Sequence, residues 1–166
     1  MTQFRWIEAP VPGTMKIRQV YCVIIDRQGR VMLRAEKTPE GFRYSLAGGR
    51  PEPYDHGMED TCRREVLEEV NTEIETPVYI GYQLADEGDE LSGYAQVRMA
   101  ALIRKIGERR PDPDNGKTYD RLLAAPEKAA ELLNWGEAGY SQIMAAREAI
   151  YSRYGIAETD GAEEWV

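Results

Sequence analysis

The sequence predicts an α+β fold in which helices pack on a mixed β-sheet. Segments rich in β-branched and aromatic residues, typical of strands, precede one helical segment, and further strands and helices follow it. A sheet with an apolar face must be covered, so this order favours helices layered on a sheet. The length of 166 residues suits one domain, which we expect over residues 1–166, with an arm at 1–15 and a loose tail at 157–166.

Turn signals separate the expected strands. The arm holds three prolines or glycines and little periodicity, which indicates an arm or a sheet-edge segment. Gly29 can supply the positive φ of a hairpin turn, and the pair Gly48–Gly49 ends a short strand. A polar loop is expected at 86–93, and a turn at Asn115–Gly116. Strands are expected over 17–26, 31–36, 42–49, 75–85, 94–106 and 118–124.

Three segments predict helices. The first should begin near Gly57 or Met58 and end near Asn71. A short helix is expected over 126–133, because proline suits the first helical position. The third, over 137–154, carries an apolar stripe, and a glycine follows that can cap it.

The first helix places acids close to its apolar stripe. Met58, Cys62, Val66 and Val70 form that stripe at helical spacing. On the same helical projection Glu69 falls within the stripe, Glu65 on its edge and Glu68 further out. A carboxylate directed at a core is costly unless it is paired or bound to a metal. The spacing alone leaves open a site for Mg²⁺ or Mn²⁺, or a structural pair of Glu69 with Arg64 or with a sheet arginine.

Composition narrows the class of partner. The formal charge of −8 argues against a nucleic-acid partner, since phosphate contact needs a basic surface. No apolar run is long enough to cross a bilayer, and the first residues carry no secretory pattern. Cys22 and Cys62 could form a disulfide, but the sequence favours two buried free thiols in a cytoplasmic protein.

The stretch GGRPEPYDHGMEDTCRREVLEEVNTEI, Gly48–Ile74, resembles the Nudix box, G-x5-E-x7-R-E-U-x-E-E-x-G-U, where U is a bulky aliphatic residue. The resemblance implies a mixed sheet between helices, an α/β/α sandwich. It also implies Mg²⁺- or Mn²⁺-dependent hydrolysis of a nucleotide-type substrate, and members are often homodimers. The matching core residues are Arg64, Glu65, Val66, Glu68 and Glu69.

The chain departs from the box in its loop. One residue more than the box allows separates Gly49 from Arg64, so that the box's first glutamate falls on His56 and its first glycine on Arg50. Asn71 takes the place of the late glycine, where a left-handed residue is tolerated. The residues that could replace the missing loop acid are Glu52, Asp55 and His56 itself.

The resemblance implies roles for the box residues. Glu65 and Glu69 would be the main metal ligands, and Glu68 a further ligand or the group that orients water. Arg64 would steady these carboxylates, and a backbone carbonyl near Gly48 would add a ligand. Arg64, Glu65 and Glu68 would therefore be the catalytic residues.

Family members often use a later acid as a base or a further ligand, and the candidates here are Glu108, Asp112, Asp114 and Asp120. These could equally be ordinary turn residues. The candidate substrate-binding residues are Arg34, Arg43, Arg98, His56 and Asp114, although each arginine could also be a paired surface residue. Tyr44, Tyr82, Tyr94 and Trp135 could stack on a base or pack in the core.

Two functions follow. The first is hydrolysis of a phosphoanhydride bond in a nucleoside diphosphate linked to another moiety, or in a nucleoside triphosphate. The second is a catalytically weak nucleotide-binding or sensor module, which the altered loop favours. None of the subfamily marks that follow the box is present, so the substrate stays open.

Overall fold

The computed structural model describes residues 1–88, 93–158 and 161–166, which form ten strands and three helices. The strands are β1 (Gln3–Ile7), β2 (Lys16–Ile25), β3 (Val31–Thr38), β4 (Gly41–Ser45), β5 (Ala47–Gly49), β6 (Thr72–Ile74), β7 (Val78–Asp86), β8 (Tyr94–Ile106), β9 (Asp120–Ala124) and β10 (Glu164–Trp165). The helices are α1 (Met58–Val70), α2 (Pro126–Leu133) and α3 (Gly136–Tyr154).

The strands form a mixed sheet in the order β1-β7-β8-β2-β3-β9-β10. The central strands β2 and β8 run parallel, and their other pairings are antiparallel. Three short strands lie off this path, since β4 pairs with β3, β5 with β2 and β6 with β8. Central strands that are covered on both faces carry apolar residues on both, and the last four residues of β2 are all buried.

Helices cover both faces of the sheet. Val20, Cys22 and Ile24 of β2 belong to the core under α1, because alternate residues of a strand share a face. Val23 and Ile25 belong to the core under α2 and α3. The predicted α+β class, with a mixed sheet between helices, is confirmed.

Helix ends follow the expected chemistry. α1 ends at Asn71, which adopts the left-handed conformation with φ of 43°, and its backbone N–H donates to the Leu67 carbonyl at 3.0 Å. The Asn71 side chain donates from Nδ2 to the Glu108 carbonyl at 2.7 Å. Pro126 begins α2, and Gly155 ends α3 in the left-handed conformation. The three helices thus lie within one or two residues of their predicted bounds.

Several strands differ from the prediction. The single strand expected over 42–49 is two strands, because β4 pairs with β3 while β5 crosses to β2. Strand β6 was not expected. The arm contains β1, which pairs with β7 at one edge of the sheet, as the edge alternative predicted. Residues 89–92 of the expected polar loop lie outside the described residues.

The prediction of a loose tail is wrong for the last residues. Strand β10 pairs with β9, and the Val166 backbone N–H donates to the Arg121 carbonyl at 3.0 Å. The Arg121 side chain also donates from Nε to the Val166 carbonyl at 3.1 Å. Backbone pairing with an edge strand needs no apolar run, which is why the sequence pattern did not predict it. Residues 159 and 160 of this tail lie outside the described residues.

Two further expectations concern the core and the membrane. Cys22 and Cys62 are both buried and free, as predicted. Among the described residues, no helix is long and apolar enough to cross a membrane.

Candidate metal and substrate site

Helix α1 presents two buried acids to the sheet. Glu65 and Glu69 are 6% and 7% exposed, and Glu68 is more accessible, with 21% of its side chain exposed. Their positions follow the helical projection, which placed Glu69 in the apolar stripe and Glu65 on its edge. Acids at these positions need partners or a cation.

Three carboxylates converge beside the second half of α1. Glu65, Glu68 and Asp114 each offer one oxygen, and these oxygens lie within 4.8 Å of one another. We call this group the acid cluster. Asp114 comes from the loop after β8, and its backbone N–H donates to the Asp112 carboxylate at 2.9 Å. That loop therefore folds an acid distant in sequence onto α1.

The other loop acids take different positions. Asp112 is 5% exposed and lies close enough for its charge to raise the pKa of Glu68 and Glu69. Asp120 forms an ion pair with Arg109. The structure thus brings Asp114 into the acid cluster and places Asp112 beside it.

The chemistry of the acid cluster fits a hard divalent cation. Burial raises the pKa of Glu65 and Glu68, while the charge of Arg64 lowers both values. Three carboxylate oxygens at this spacing repel one another, and oxygen ligands are what Mg²⁺ and Mn²⁺ prefer. A bound cation would remove the repulsion and favour the ionised carboxylates.

Gly49 allows the sheet to approach the acid cluster. A Cβ atom at Gly49 would lie 2.5 Å from Glu65 Oε1, closer than real contacts allow. Gly48, whose carbonyl is an expected ligand, pairs with Tyr21 across β5 and β2, and a Cβ there would lie 2.5 Å from Tyr21 Cδ1. A side chain at Gly48 would collide with the backbone of β2, and one at Gly49 would force the Glu65 carboxylate to move.

Arg64 binds the acids of α1 to the preceding loop. It donates from Nη1 to Glu65 Oε1 at 3.0 Å and to Glu68 Oε2 at 3.2 Å. It also donates from Nε and Nη2 to the two oxygens of Asp55, at 3.1 and 3.0 Å. These bonds lower the pKa of Asp55 to about 2. The expected steadying contacts of Arg64 are present.

Among the three candidates for the loop acid, Asp55 is the one bound to Arg64. His56 is exposed, and its backbone N–H donates to Asp60 Oδ2 at 2.9 Å. The backbone N–H of Glu52 donates to Asp55 Oδ2 at 2.9 Å. The loop acid that binds Arg64 is therefore Asp55, one position earlier than the box predicts.

Glu69 pairs with a sheet arginine. Arg34 Nη1 lies 2.6 Å from Glu69 Oε2, and the Arg34 guanidinium stands over the Tyr119 ring at 4.4 Å. Burial raises the pKa of Glu69 to about 7, although Arg34 opposes this rise. The structural pair that the sequence left open is therefore present, and the role of Glu69 as a metal ligand stays a prediction.

The other two candidate arginines lie elsewhere. Arg43 is exposed on β4 and pairs with Glu36, which also binds Lys117 at 2.6 Å. Arg98 is 2% exposed and lines a cavity of about 400 Å³ between the sheet and α3. We call this cavity the Arg98 pocket; its lining residues are Phe4, Tyr21, Ser45, Gln83, Gln96, Arg98, Trp135 and Ala138.

Neutral groups hold Arg98. It donates from Nε to Gln142 Oε1 at 2.7 Å and from Nη1 to the Gln96 carbonyl at 3.2 Å. Its guanidinium lies 4.8 Å from the Tyr21 ring centroid and 5.7 Å from that of Trp135. No carboxylate in the described parts of the chain pairs with it, and burial lowers its pKa to about 10.

A chain of four glutamine amides runs from Arg98 to β2. Gln142 Nε2 donates to Gln83 Oε1 at 2.9 Å, and Gln83 Nε2 donates to Gln96 Oε1 at 3.3 Å. Gln96 Nε2 then donates to Gln19 Oε1 at 2.5 Å. Because a guanidinium has no acceptor, Arg98 fixes which end of Gln142 faces it and hence the direction of the whole chain.

Tyr21 links the Arg98 pocket to the acid cluster. Burial raises the pKa of its hydroxyl, and Glu69 and Glu65 raise it further, while Arg98 lowers it. Charges on both sides of the strand therefore act on one side chain. The two regions lie on opposite faces of the sheet, with β2 and β5 between them.

Of the residues that line the Arg98 pocket, only Arg98 and Trp135 were identified as candidates from the sequence. Gln96 and Arg98 lie two residues apart on one strand and so share a face, which is a signal that the sequence does carry. Gln83 and Gln142 come from β7 and α3, and no spacing along the chain connects them.

The comparisons with known proteins agree with this geometry. The family model described as NUDIX domain matches residues 15–144. No curated protein matches the chain by sequence. Many solved structures match it, and three are described below.

The pyrophosphohydrolase of Bacillus subtilis is similar at 19% identity and a TM-score of 0.53, over 65% of this chain and 64% of that one, just under two thirds of its length. The mutator protein MutT of Bacillus halodurans is similar at 21% identity and a TM-score of 0.55, over 75% of this chain and 78% of that one. A NUDIX hydrolase of Nitrosomonas europaea is similar at 18% identity and a TM-score of 0.55, over 87% of this chain and 94% of that one. At these identities the likeness concerns the fold.

Proposed function

Because this chain belongs to the NUDIX domain family, we propose that it is a metal-dependent hydrolase of phosphoanhydride bonds. Its substrate class is a nucleoside diphosphate linked to another moiety, or a nucleoside triphosphate. The observation that carries the proposal is the convergence of Glu65, Glu68 and Asp114 from two separate segments. The similar structures include a pyrophosphohydrolase and a NUDIX hydrolase, which supports the reaction class.

The acid cluster would hold Mg²⁺ or Mn²⁺, with Glu69 and the carbonyl near Gly48 as further ligands. When bound, such an ion offsets charge on phosphoryl oxygens and lowers the pKa of a bound water. The negative charge of the cluster would otherwise repel an anionic diphosphate. Because a bound cation would remove this repulsion, we expect hydrolysis to require a metal ion.

Arg64 acts through the acids that it holds. Its bonds to Glu65 and Glu68 restrict their rotamers, and the pair with Asp55 fixes the guanidinium from the opposite side. Preorganised groups need no rearrangement as charge develops in the reaction. Glu68 is the more accessible of the two α1 acids and would orient the attacking water.

Arg34 would contact the phosphates. It lies beside Glu69 and is partly accessible, with 22% of its side chain exposed. Arg43 and His56 are both exposed and lie outside the acid cluster, so we propose for them at most contacts at the rim of the substrate.

A metal titration against a nucleotide panel tests the proposed function. The panel contains nucleotide sugars, dinucleotides and triphosphates, each with Mg²⁺, with Mn²⁺ and with EDTA. We expect release of nucleoside monophosphate or phosphate with either metal and none with EDTA. Glu69→Gln should weaken both metal binding and product release.

The same panel separates the sensor alternative. A sensor would bind nucleotides with measurable affinity and release no product with either metal. The altered loop favoured that alternative in the sequence, but Asp55 supplies Arg64 with a loop carboxylate and so supports the hydrolase. We further propose a cytoplasmic location, in keeping with two free buried thiols.

A further inference from the structure

The Arg98 pocket holds a buried positive charge that no acid of the described residues neutralises. Arg98 is 2% exposed, and its bonded partners within the described residues are an amide oxygen and a backbone carbonyl. Burying a charged group without an opposite charge is costly, and native proteins almost always pair such groups. The aromatic faces of Tyr21 and Trp135 offset part of this cost. The positive charge that remains uncompensated would be stabilised by an anion bound in the pocket.

The pocket also has the hydrogen-bonding character that an anion requires. Arg98 has five N–H donors and no acceptor, and the bonds described above use two of its three nitrogens. Gln96 and Gln83 each add an amide, whereas the Ser45 hydroxyl already donates to the Leu46 carbonyl at 3.1 Å. Among the described residues, none that lines the pocket carries a carboxylate. A pocket lined in this way favours a ligand that accepts hydrogen bonds and carries a negative charge.

We propose that the Arg98 pocket binds an oxyanion, a carboxylate or a phosphate, through the Arg98 guanidinium. A planar guanidinium binds either group with paired, charge-assisted hydrogen bonds. At about 400 Å³ the cavity has room for such a group together with part of the molecule that bears it.

The pocket and the acid cluster lie on opposite faces of the sheet. Tyr21 lines the pocket and pairs with Gly48, whereas a Cβ atom at the next residue, Gly49, would point to Glu65. Oxyanion binding in the pocket is therefore independent of the proposed function.

Calorimetric titration of the full chain tests the proposal in Tris chloride with EDTA, so that no divalent ion can hold phosphate at the acid cluster. The probes are inorganic phosphate, acetate and acetamide, which matches acetate in shape and lacks its charge. We expect phosphate, acetate or both to bind, and whichever binds identifies the source of the oxyanion. Acetamide should bind at least about tenfold more weakly than acetate if acetate binds.

Two variants locate the site. Arg98→Met should weaken oxyanion binding at least about tenfold, because a charge-assisted bond is lost. Arg104→Met is the matched control, since Arg104 is an exposed arginine on the same strand, and it should bind as the unmutated protein does. Arg98→Lys, which keeps the charge, should retain part of the affinity.

Three results would overturn the proposal: neither phosphate nor acetate binds the unmutated protein, acetate binds and acetamide binds equally well, or Arg98→Met binds the oxyanion as tightly as Arg104→Met. If Arg98→Met does not fold, the comparison of acetate with acetamide decides where acetate binds. Where only phosphate binds, Arg98→Lys decides, because an affinity equal to that of Arg104→Met overturns the proposal. A chain that hydrolyses no nucleotide would contradict the proposed function and leave oxyanion binding intact, so the two failures are distinguishable.

Discussion

Two arginines of this molecule, one partly buried and one fully buried, are surrounded in opposite ways. Arg64 on α1 donates to three carboxylates, those of Asp55, Glu65 and Glu68. Arg98 on β8 has a glutamine oxygen, a backbone carbonyl and two aromatic rings around it. The first region has more acids than its arginine can neutralise, while the second has a cation and, among the residues that the structure describes, no acid paired with it.

The difference indicates which kind of ligand each region favours. Excess carboxylate at the acid cluster favours a cation, and an unpaired guanidinium in the Arg98 pocket favours an anion. Because the two regions lie on opposite faces of the sheet, each can be tested by itself.

The acid-rich region is tested most severely by removing one charge from it. Glu65→Gln should lower kcat by about 1,000-fold, because the amide cannot replace an ionised oxygen in the acid cluster. Product release in the presence of saturating Mg²⁺ measures this loss. Glu59→Gln, an exposed glutamate on the same helix, should stay within about twofold of the unmutated protein. Equal losses in both variants would place the chemistry away from the cluster.

The same substitution at the two arginines should have unequal effects on stability. Arg64→Met should lower the free energy of unfolding by about 3–5 kcal/mol, because three part-buried acids lose their partner. Arg98→Met should change it by about 1 kcal/mol or less in the absence of an anion, since the lost bonds are offset by removal of an uncompensated charge. Urea unfolding with unchanged m-values measures both. A larger loss for Arg98→Met would mean that the aromatic rings and amides fully stabilise that cation.

The loop acid can be separated from its neighbour in sequence. Asp55→Asn should cost about 2 kcal/mol of stability, because a charge-assisted bidentate pair with Arg64 becomes a weaker, neutral one. His56→Gln should change stability by less than about 0.5 kcal/mol, because His56 is exposed. Thermal unfolding of both variants checks the difference. The reverse order would show that the loop follows the spacing of the box instead.

A smaller effect concerns acid stability. The bonds from Arg64 lower the pKa of Asp55 from its ordinary 3.8 to about 2, so folding favours the ionised carboxyl. This contribution is complete above about pH 4 and is lost as the pH falls towards 2. Unfolding titrations over that range should therefore be less steep for Asp55→Asn than for the unmutated protein. Identical slopes would show that Asp55 gains nothing from Arg64.

The sequence predicted the acid-rich region far better than the acid-free one. Glu65 and Glu68 lie in one helix, where the position of each side chain follows from a constant angle per residue. Asp114 could not be ranked above the neighbouring loop acids, because the path of a loop has no such periodicity. The choice among Glu52, Asp55 and His56 also depended on which carboxylate Arg64 could reach in space.

The surroundings of Arg98 depend on strands far apart in the chain. Its partners Gln96 and Gln142 come from β8 and α3, and the pairing of β7 with β8 places Gln83 opposite Gln96. Strand order and register decide these contacts, and neither is visible in the local pattern. The sequence therefore suggested phosphate contact for Arg98 without showing that it is enclosed.

The glutamine chain that begins at Arg98 makes four amide groups depend on one guanidinium. Each amide can be reversed end for end, and the donor at Arg98 selects one of the two arrangements for all of them. Without that donor both arrangements have similar energy, and the side-chain NH₂ resonances of Gln142, Gln83, Gln96 and Gln19 would broaden together. One buried charge thus sets the direction of a hydrogen-bond chain that runs from α3 across β7 and β8 to β2.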